Sequence, residues 1–169
     1  RNAAGAQAGG GGDYPEAVPA ALAEVAKLGW RPGNVARVAV HFADAPHHQG
    51  QQQQVAAALE GLRVPGVHYY PVASSGADEL FENTFRSLAQ ATLGRYLFLT
   101  DDSGVGNAHK EPTLPCYLVT KLNVAVQRMV SMEITGLRLE PAPEQILRRG
   151  GDPKDGRCTL ADGTVLQVL

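Results

Sequence analysis

Three short apolar runs set the strongest limit on what this chain can fold into. Residues 35–43 (VARVAVHFA), 67–73 (VHYYPVA) and 95–100 (RYLFLT) are rich in β-branched and aromatic side chains and too short for globular helices between their flanking loops. Between them the apolar spacing switches to a helical period. Val55, Leu59 and Leu62 mark one short helix, ended by Gly61 with Pro65-Gly66. Phe81, Phe85, Leu88 and Thr92 form the stripe of another over about 78–93, with Gly94 as its C′ residue. A helix before the first run carries Val18, Ala21, Leu22, Val25 and Leu28 on one face and ends near Gly29. Its start reads as Asp13 at the N-cap, Pro15 in the first turn and Glu16 three residues after the cap, with Pro19 removing one early hydrogen bond. Leu118, Leu122, Ala125, Met129 and Met132 align on a fourth helix, with Pro115 near its first turn. Strands alternating with crossover helices predict an α/β fold: Rossmann-like, doubly wound, with a mainly parallel sheet and helices on both faces.

Residues 1–133 form the α/β part, and residues 134–169 read as a Pro/Gly-rich tail. Pro141, Pro143, Gly150-Gly151 and Pro153 punctuate the tail, and no helical period extends beyond 144–149. Residues 158–161 and 164–169 flank Asp162-Gly163, a type I′ turn pair, which predicts a terminal β-hairpin. Residues 1–12 hold four consecutive glycines and no large apolar side chain, so they form a flexible entry or a tight loop. Three strands are few for burial on two faces. The glycine loop also has no strand before it, although such loops usually leave a strand's carboxyl end. The expectation is that further strands of the same domain precede Arg1, which stands where an initiator Met would be.

Charge narrows the partners. Fifteen Lys and Arg against seventeen Asp and Glu leave a formal net charge of −2, which argues against nucleic acid. With 44% hydrophobic and 19% charged residues the chain can bury a core. No apolar run reaches membrane-spanning length, so no membrane span is expected. Cys116 and Cys158 form either one disulfide or two buried thiols.

In open α/β sheets ligands bind beyond the carboxyl ends of the strands. Two loops there draw the search: Gly9-Gly10-Gly11-Gly12-Asp13 and Asp44-Ala45-Pro46-His47-His48. The glycine run lacks both the Walker Lys-Ser/Thr pair and the G-x-G-x-x-G spacing, and Asp13 repels an anion. Asp44 ends a buried strand, where a carboxylate is solvated, hydrogen-bonded, or bound to a cation; a turn acid in Asp-Ala-Pro is the structural alternative. His41, His47 and His48 invite zinc, yet adjacent histidines point apart, and His47 and His48 read as solvent-exposed loop residues. Residues 100–104 (TDDSG) form a solvated Asx-turn loop or a second cation loop. Tyr69, Tyr70 and Phe98 read as core and rim aromatics, and Trp30 packs where the first helix meets its strand. Ser74 and Ser75 lie in a turn outside any G-x-S-x-G elbow, so no nucleophile is evident.

The run Gly10-Gly11-Gly12-Asp13-Tyr14-Pro15-Glu16-Ala17-Val18, then Leu28-Gly29-Trp30-Arg31-Pro32, then the strand ending Phe42-Ala43-Asp44-Ala45-Pro46-His47 resembles the second half of a von Willebrand factor type A domain. The likeness is to the bacterial branch with a G-G-G-D-x-P-E loop and a strand ending D-A-P-P-H. Residues 67–75, 85–94 and 95–100 are similar to that family's penultimate strand, helix end and last strand, so the resemblance covers about 9–133. It implies a metal-ion-dependent adhesion site in which oxygen ligands from three loops hold Mg²⁺, with Mn²⁺ or Ca²⁺ as alternatives. Asp44 matches the acid that ends the family's fourth strand, with Ala43 where Thr is common, and Asp13 stands in for the Thr of a second loop. The D-x-S-x-S loop that supplies most ligands occurs nowhere in the 169 residues. The resemblance therefore implies a domain without its N-terminal half, binding the cation weakly or not at all. The implied function is non-enzymatic: divalent-cation-dependent interaction with a protein partner through a metal-bridged acidic residue. Two alternatives stand beside it: a metal-dependent hydrolase or phosphotransfer domain using Asp13, Asp44 and His47 or His48, and a regulatory type A domain of a larger enzyme. Proteins of this arrangement are often exported, which favours an extracytoplasmic location, where a Cys116–Cys158 bridge would tie the last helix to the tail.

Overall fold

The three apolar runs pair as one parallel sheet in the order β1 (Val38–Ala43), β2 (His68–Ala73), β3 (Leu97–Phe98). The computed structural model describes residues 12–106 and 108–168. Register runs from Val38 opposite His68 to Ala43 opposite Ala73, and β3 joins through Val72 opposite Leu97 and Ala73 opposite Phe98. Parallel neighbours need crossovers of a dozen residues or so. Helix α2 (Gln52–Arg63) supplies the first and α3 (Glu79–Ala91) the second; α1 (Val18–Ala26) precedes β1, and α4 (Leu122–Thr135) follows β3. The mixed α/β class and the parallel sheet are those the alternation predicts.

Adjacent residues of β2 face opposite sides, as strand geometry requires. Tyr69 packs among Val18, Leu22, Val55, Phe81 and Phe85, where the Phe81 and Phe85 rings stack with centroids 4.1 Å apart. Tyr70 turns the other way and donates its hydroxyl proton to Glu133 of α4. Both tyrosines are core residues, as the sequence predicts. Strand β1 lies at the edge of the sheet, and no strand among the described residues pairs with its outer side. Val40 and Phe42 on that strand are exposed.

Several local expectations give way to longer-range demands. Asp13 and Glu16 do not cap α1: the helix begins at Val18, its N-cap is Ala17 without a side-chain hydrogen bond, and Pro19 falls harmlessly in the first turn. Its C-cap is Lys27, ahead of the predicted stop at Gly29. Gly61 does not end α2. It sits inside the helix at the crossing with α1, where a Cβ would come within 2.8 Å of the Ala26 Cβ. At the end of α3 the left-handed C′ residue is Leu93 (φ 61°), not Gly94. The Leu93 amide donates to Gln90 O at 3.2 Å and the Gly94 amide to Ala89 O at 2.9 Å, the paired bonds of a Schellman motif. Gly94 serves a different need: a Cβ there would lie 1.9 Å from the Tyr69 carbonyl oxygen.

Two stretches change type. Leu118 belongs not to the fourth helix but to β4 (Tyr117–Val119), so α4 starts four residues later than its apolar stripe suggests. Residues 144–149 are not helical: a 3₁₀ turn at Pro143–Gln145 leads into β5 (Arg148–Gly150), which pairs antiparallel with β4. The tail is thus hydrogen-bonded to the segment before α4. The terminal hairpin forms from β6 (Arg157–Thr159) and β7 (Val165–Gln167). Its turn is not type I′, since only Gly163 has positive φ (84°). The bonds Gly163 N to Leu160 O (3.0 Å) and Leu160 N to Thr164 O (2.8 Å) make a three-residue loop with a left-handed glycine. Cys116 and Cys158 are joined, with Cα atoms 6.3 Å apart, and pack with Val168 in a small second cluster.

A charged cluster holds the long loop after β3 against α3. Glu82 accepts hydrogen bonds from Arg86 (2.9 Å) and Thr113 (2.8 Å), and the Lys110 ammonium lies 3.2 Å from its other oxygen. Lys110 also donates to the Ala77 carbonyl at 2.7 Å, and the Arg86 guanidinium lies over the Tyr96 ring. Burial alone would raise the Glu82 pKa, but the bonds from Arg86, Thr113 and Lys110 outweigh it and leave the group below the usual carboxylate value.

Candidate functional site

The carboxyl ends of β1 and β2 place their loops beside the entry to α1. Ser74, just after β2, donates both its amide (2.9 Å) and its hydroxyl (3.1 Å) to the Ala43 carbonyl at the end of β1. Gly76 then passes so close that a Cβ would fall 2.5 Å from the Asp44 carbonyl oxygen. From the other side the Glu16 amide donates to Pro46 O at 2.7 Å, forming a short parallel bridge with His47. Asp13 reaches His48 across this junction, with 3.6 Å between Oδ2 and Nδ1. Gly9, Gly10 and Gly11 of the glycine run lie outside the described residues.

Asp44 and Asp13, the two predicted cation ligands, are therefore on loops that touch each other, and both carboxylates are exposed. Asp44 also lines a cleft of ≈ 300 Å³ with Glu16, Val18, His41 and Phe42, between the start of α1 and the outer side of β1. Main-chain bonds join these loops and leave the Asp44 carboxylate open, while the Asp13 carboxylate faces His48. Tyr14 completes the cluster. Its hydroxyl donates to Gly76 O, and burial, followed by the negative charges of Asp78 and Asp44, raises its pKa. Asp78 is partly committed, since its Oδ1 accepts from the Phe81 amide at 2.8 Å and caps α3.

The histidines are not a ligand set. His47 is buried at 2% exposure, contrary to the expected exposed loop position, and its Nδ1 lies 2.8 Å from the His48 carbonyl oxygen. The Glu16 bridge covers it, a contact between segments thirty residues apart that no local pattern reveals. His41 points into the core, where its Nδ1 lies 2.5 Å from the Tyr69 hydroxyl. Among the described residues no three His, Cys, Asp or Glu side chains are grouped to hold a metal ion. Mg²⁺ keeps several waters and often takes only one or two protein carboxylates. Two exposed carboxylates, Asp44 and Asp13, do not make a closed protein cage, and a cation held by them would keep most of its waters. In the loop after β3, Asp101 accepts the His109 amide at 2.7 Å and Asp102 pairs with Arg148, so these acids are tied into the loop rather than turned to an ion. The Ser74 hydroxyl is engaged by the Ala43 carbonyl.

His41 carries a pH prediction. Burial lowers its pKa, while the unfolded chain titrates near the usual value of about 6.5. The unfolded state then binds more protons over the window below about 6.5, so stability rises with pH there. The contribution is complete above about 6.5 and is lost as pH falls toward the folded-state value. Thermal melts should show a Tm that drops on acidification, and the drop should be smaller in His41→Gln, which does not titrate. Equal slopes would remove His41 as the source.

Tyr14, Gly76 and Asp78 join the predicted acids without having been singled out in the sequence. Asp78 had a usable signal, three residues before Phe81 at the head of the apolar stripe. The fold and the site together define a class: a mixed α/β chain with a three-stranded parallel sheet and an acidic loop cluster at its carboxyl edge. No family model matches the chain, and no curated protein or solved structure is significantly similar to it.

Proposed function

We propose that the chain is a divalent-cation-dependent protein-interaction module of the von Willebrand factor type A kind, built on a Rossmann-like doubly wound sheet. One observation carries the reading: Asp44 directly follows a parallel strand with an exposed carboxylate, and the loop bearing Asp13 is hydrogen-bonded to the same junction. Asp44 supplies the principal oxygen ligand and Asp13 a second, directly or through water. With two protein carboxylates the remaining positions go to water, and an acidic side chain of a protein partner replaces one of them. The Glu16–Pro46 bond joins the two loops directly, and Tyr14, donating to Gly76, ties the Asp13 segment to the loop after β2. The placement of Tyr69 toward α3 and Tyr70 toward α4 supports the two-sided arrangement that this family implies.

Calorimetric or NMR titration of the chain with Mg²⁺ tests the reading. Binding should be in the millimolar range, as a water-rich site requires, and should disappear in Asp44→Asn. Micromolar binding by this chain alone would overturn the two-carboxylate site. A response indifferent to Asp44→Asn would overturn the assignment of the cation to this loop.

A further inference from the structure

A second cavity, of ≈ 120 Å³, lies away from the acidic loops, between β3, β4, α4 and the end of the terminal hairpin. Its wall is mixed, with Leu99, Leu114, Leu118, Leu122 and Ala125 beside the hydroxyl-bearing Thr100, Ser103 and Thr120, and it holds one charged side chain, Arg128 of α4. Arg128 is 4% exposed. Its Nε donates to the Leu139 carbonyl at 2.8 Å, while Nη2 is buried with no partner. Glu140, the carboxylate whose charge acts on it, is engaged by Arg138. A guanidinium has five donors in a planar fork suited to a carboxylate. Leaving one buried beside a single backbone acceptor is costly unless a further acceptor completes it, and a carboxylate does so while also matching the charge.

We propose that this cavity binds a short-chain monocarboxylate, with the Arg128 guanidinium as its counter-charge. The rest of the wall selects the ligand. A single cation matches a single negative charge, whereas a phosphate dianion would carry a second charge for which the wall holds no second cation. The cavity is slightly smaller than one of about 150 Å³ that holds benzene, so the ligand has about six heavy atoms, an acid head and a three-carbon tail. Burial lowers the proton affinity of Arg128, aided by the nearby Arg138, and an anion in the cavity opposes that shift. Cys116 and Val168 also line the cavity, so the bridge to Cys158 holds the hairpin in place as part of the wall.

The test titrates the full chain, disulfide intact, with butanoate, 1-butanol and inorganic phosphate while ¹H–¹⁵N spectra are recorded. Butanoate should saturate and shift the Arg128 side-chain Nε–H together with the Leu118 and Ala125 amides. 1-Butanol and phosphate should bind at least tenfold more weakly. Arg128→Met should weaken butanoate at least tenfold and abolish its advantage over 1-butanol. Ala125→Leu, which keeps the charge and fills the space, should remove binding even if the Arg128 variant does not fold. The proposal is overturned if butanoate shifts only exposed arginines, if 1-butanol or phosphate binds as tightly, or if either variant that folds binds butanoate like the unaltered chain. None of these readings involves Mg²⁺ or Asp44, so they stand apart from the test of the acidic loops.

Discussion

Gly94→Ala is expected to cost about 3 kcal/mol or more of folding free energy. The new methyl would be placed 1.9 Å from the Tyr69 carbonyl oxygen, 2.6 Å from its carbon and 2.9 Å from the Tyr69 amide nitrogen. All three are backbone atoms of the central strand, so no side chain can swing aside. The connection also cannot relax by moving its turn, because Leu93 already occupies the left-handed position and the Gly94 amide is bonded to Ala89. Urea unfolding monitored by circular dichroism measures the loss. A change below about 1 kcal/mol would mean that the end of α3 can lift off β2 without consequence.

The second large effect is expected from reducing the Cys116–Cys158 bridge. Its partners are 42 residues apart in sequence, and the chain-entropy estimate for a loop of that length is about 4 kcal/mol. The bridge joins the residue before β4 to β6, and the second small cluster is built around it with Val168. Few other apolar side chains hold the hairpin, so the loss falls on this end of the chain. The Cys116→Ser/Cys158→Ser variant, compared with the oxidised protein in urea, should show a lower midpoint and a steeper slope, since the unlinked denatured chain exposes more surface. An unchanged midpoint would show that the hairpin is held by its other contacts.

The strands of the parallel sheet and the α3 stripe were legible because their signals are local and uniform. Tyr69, Tyr70 and Val72 form a continuous apolar run that fits a strand covered on both sides, and Phe81, Phe85 and Leu88 recur at helical spacing. What escaped depends on partners distant in sequence. Leu118 falls in phase with the α4 stripe, but β5, thirty residues on, claims residues 117–119 as a strand. Asp13 and Glu16 have the spacing of a capping box, yet the main chain there is drawn to Pro46, so the helix opens later. Gly94 looked like a helix stop because glycine commonly is one; its real constraint is a backbone crossing that only the folded sheet creates. Asp44 is legible from position alone, since it follows a strand's carboxyl end, whereas Asp13, with no strand before its loop, enters only through the family resemblance. Tyr14 and Gly76, which bring the loops together, have no signature until the loops meet.

The Glu82 cluster has a consequence for how sequences of this kind can diverge. Glu82, Arg86, Lys110 and Thr113 satisfy one another in a part-buried setting, so losing the acid takes the counter-charge from two cations at once, leaving Lys110 the Ala77 carbonyl and Arg86 the Tyr96 ring, whereas losing one cation leaves the acid still partnered. Substitutions at these four positions are therefore not independent events. Change at Glu82 is expected to be accompanied by change at Lys110 or Arg86. In any set of related chains these positions should vary as a block, with the loop over 105–114 changing length or course wherever position 82 is no longer acidic.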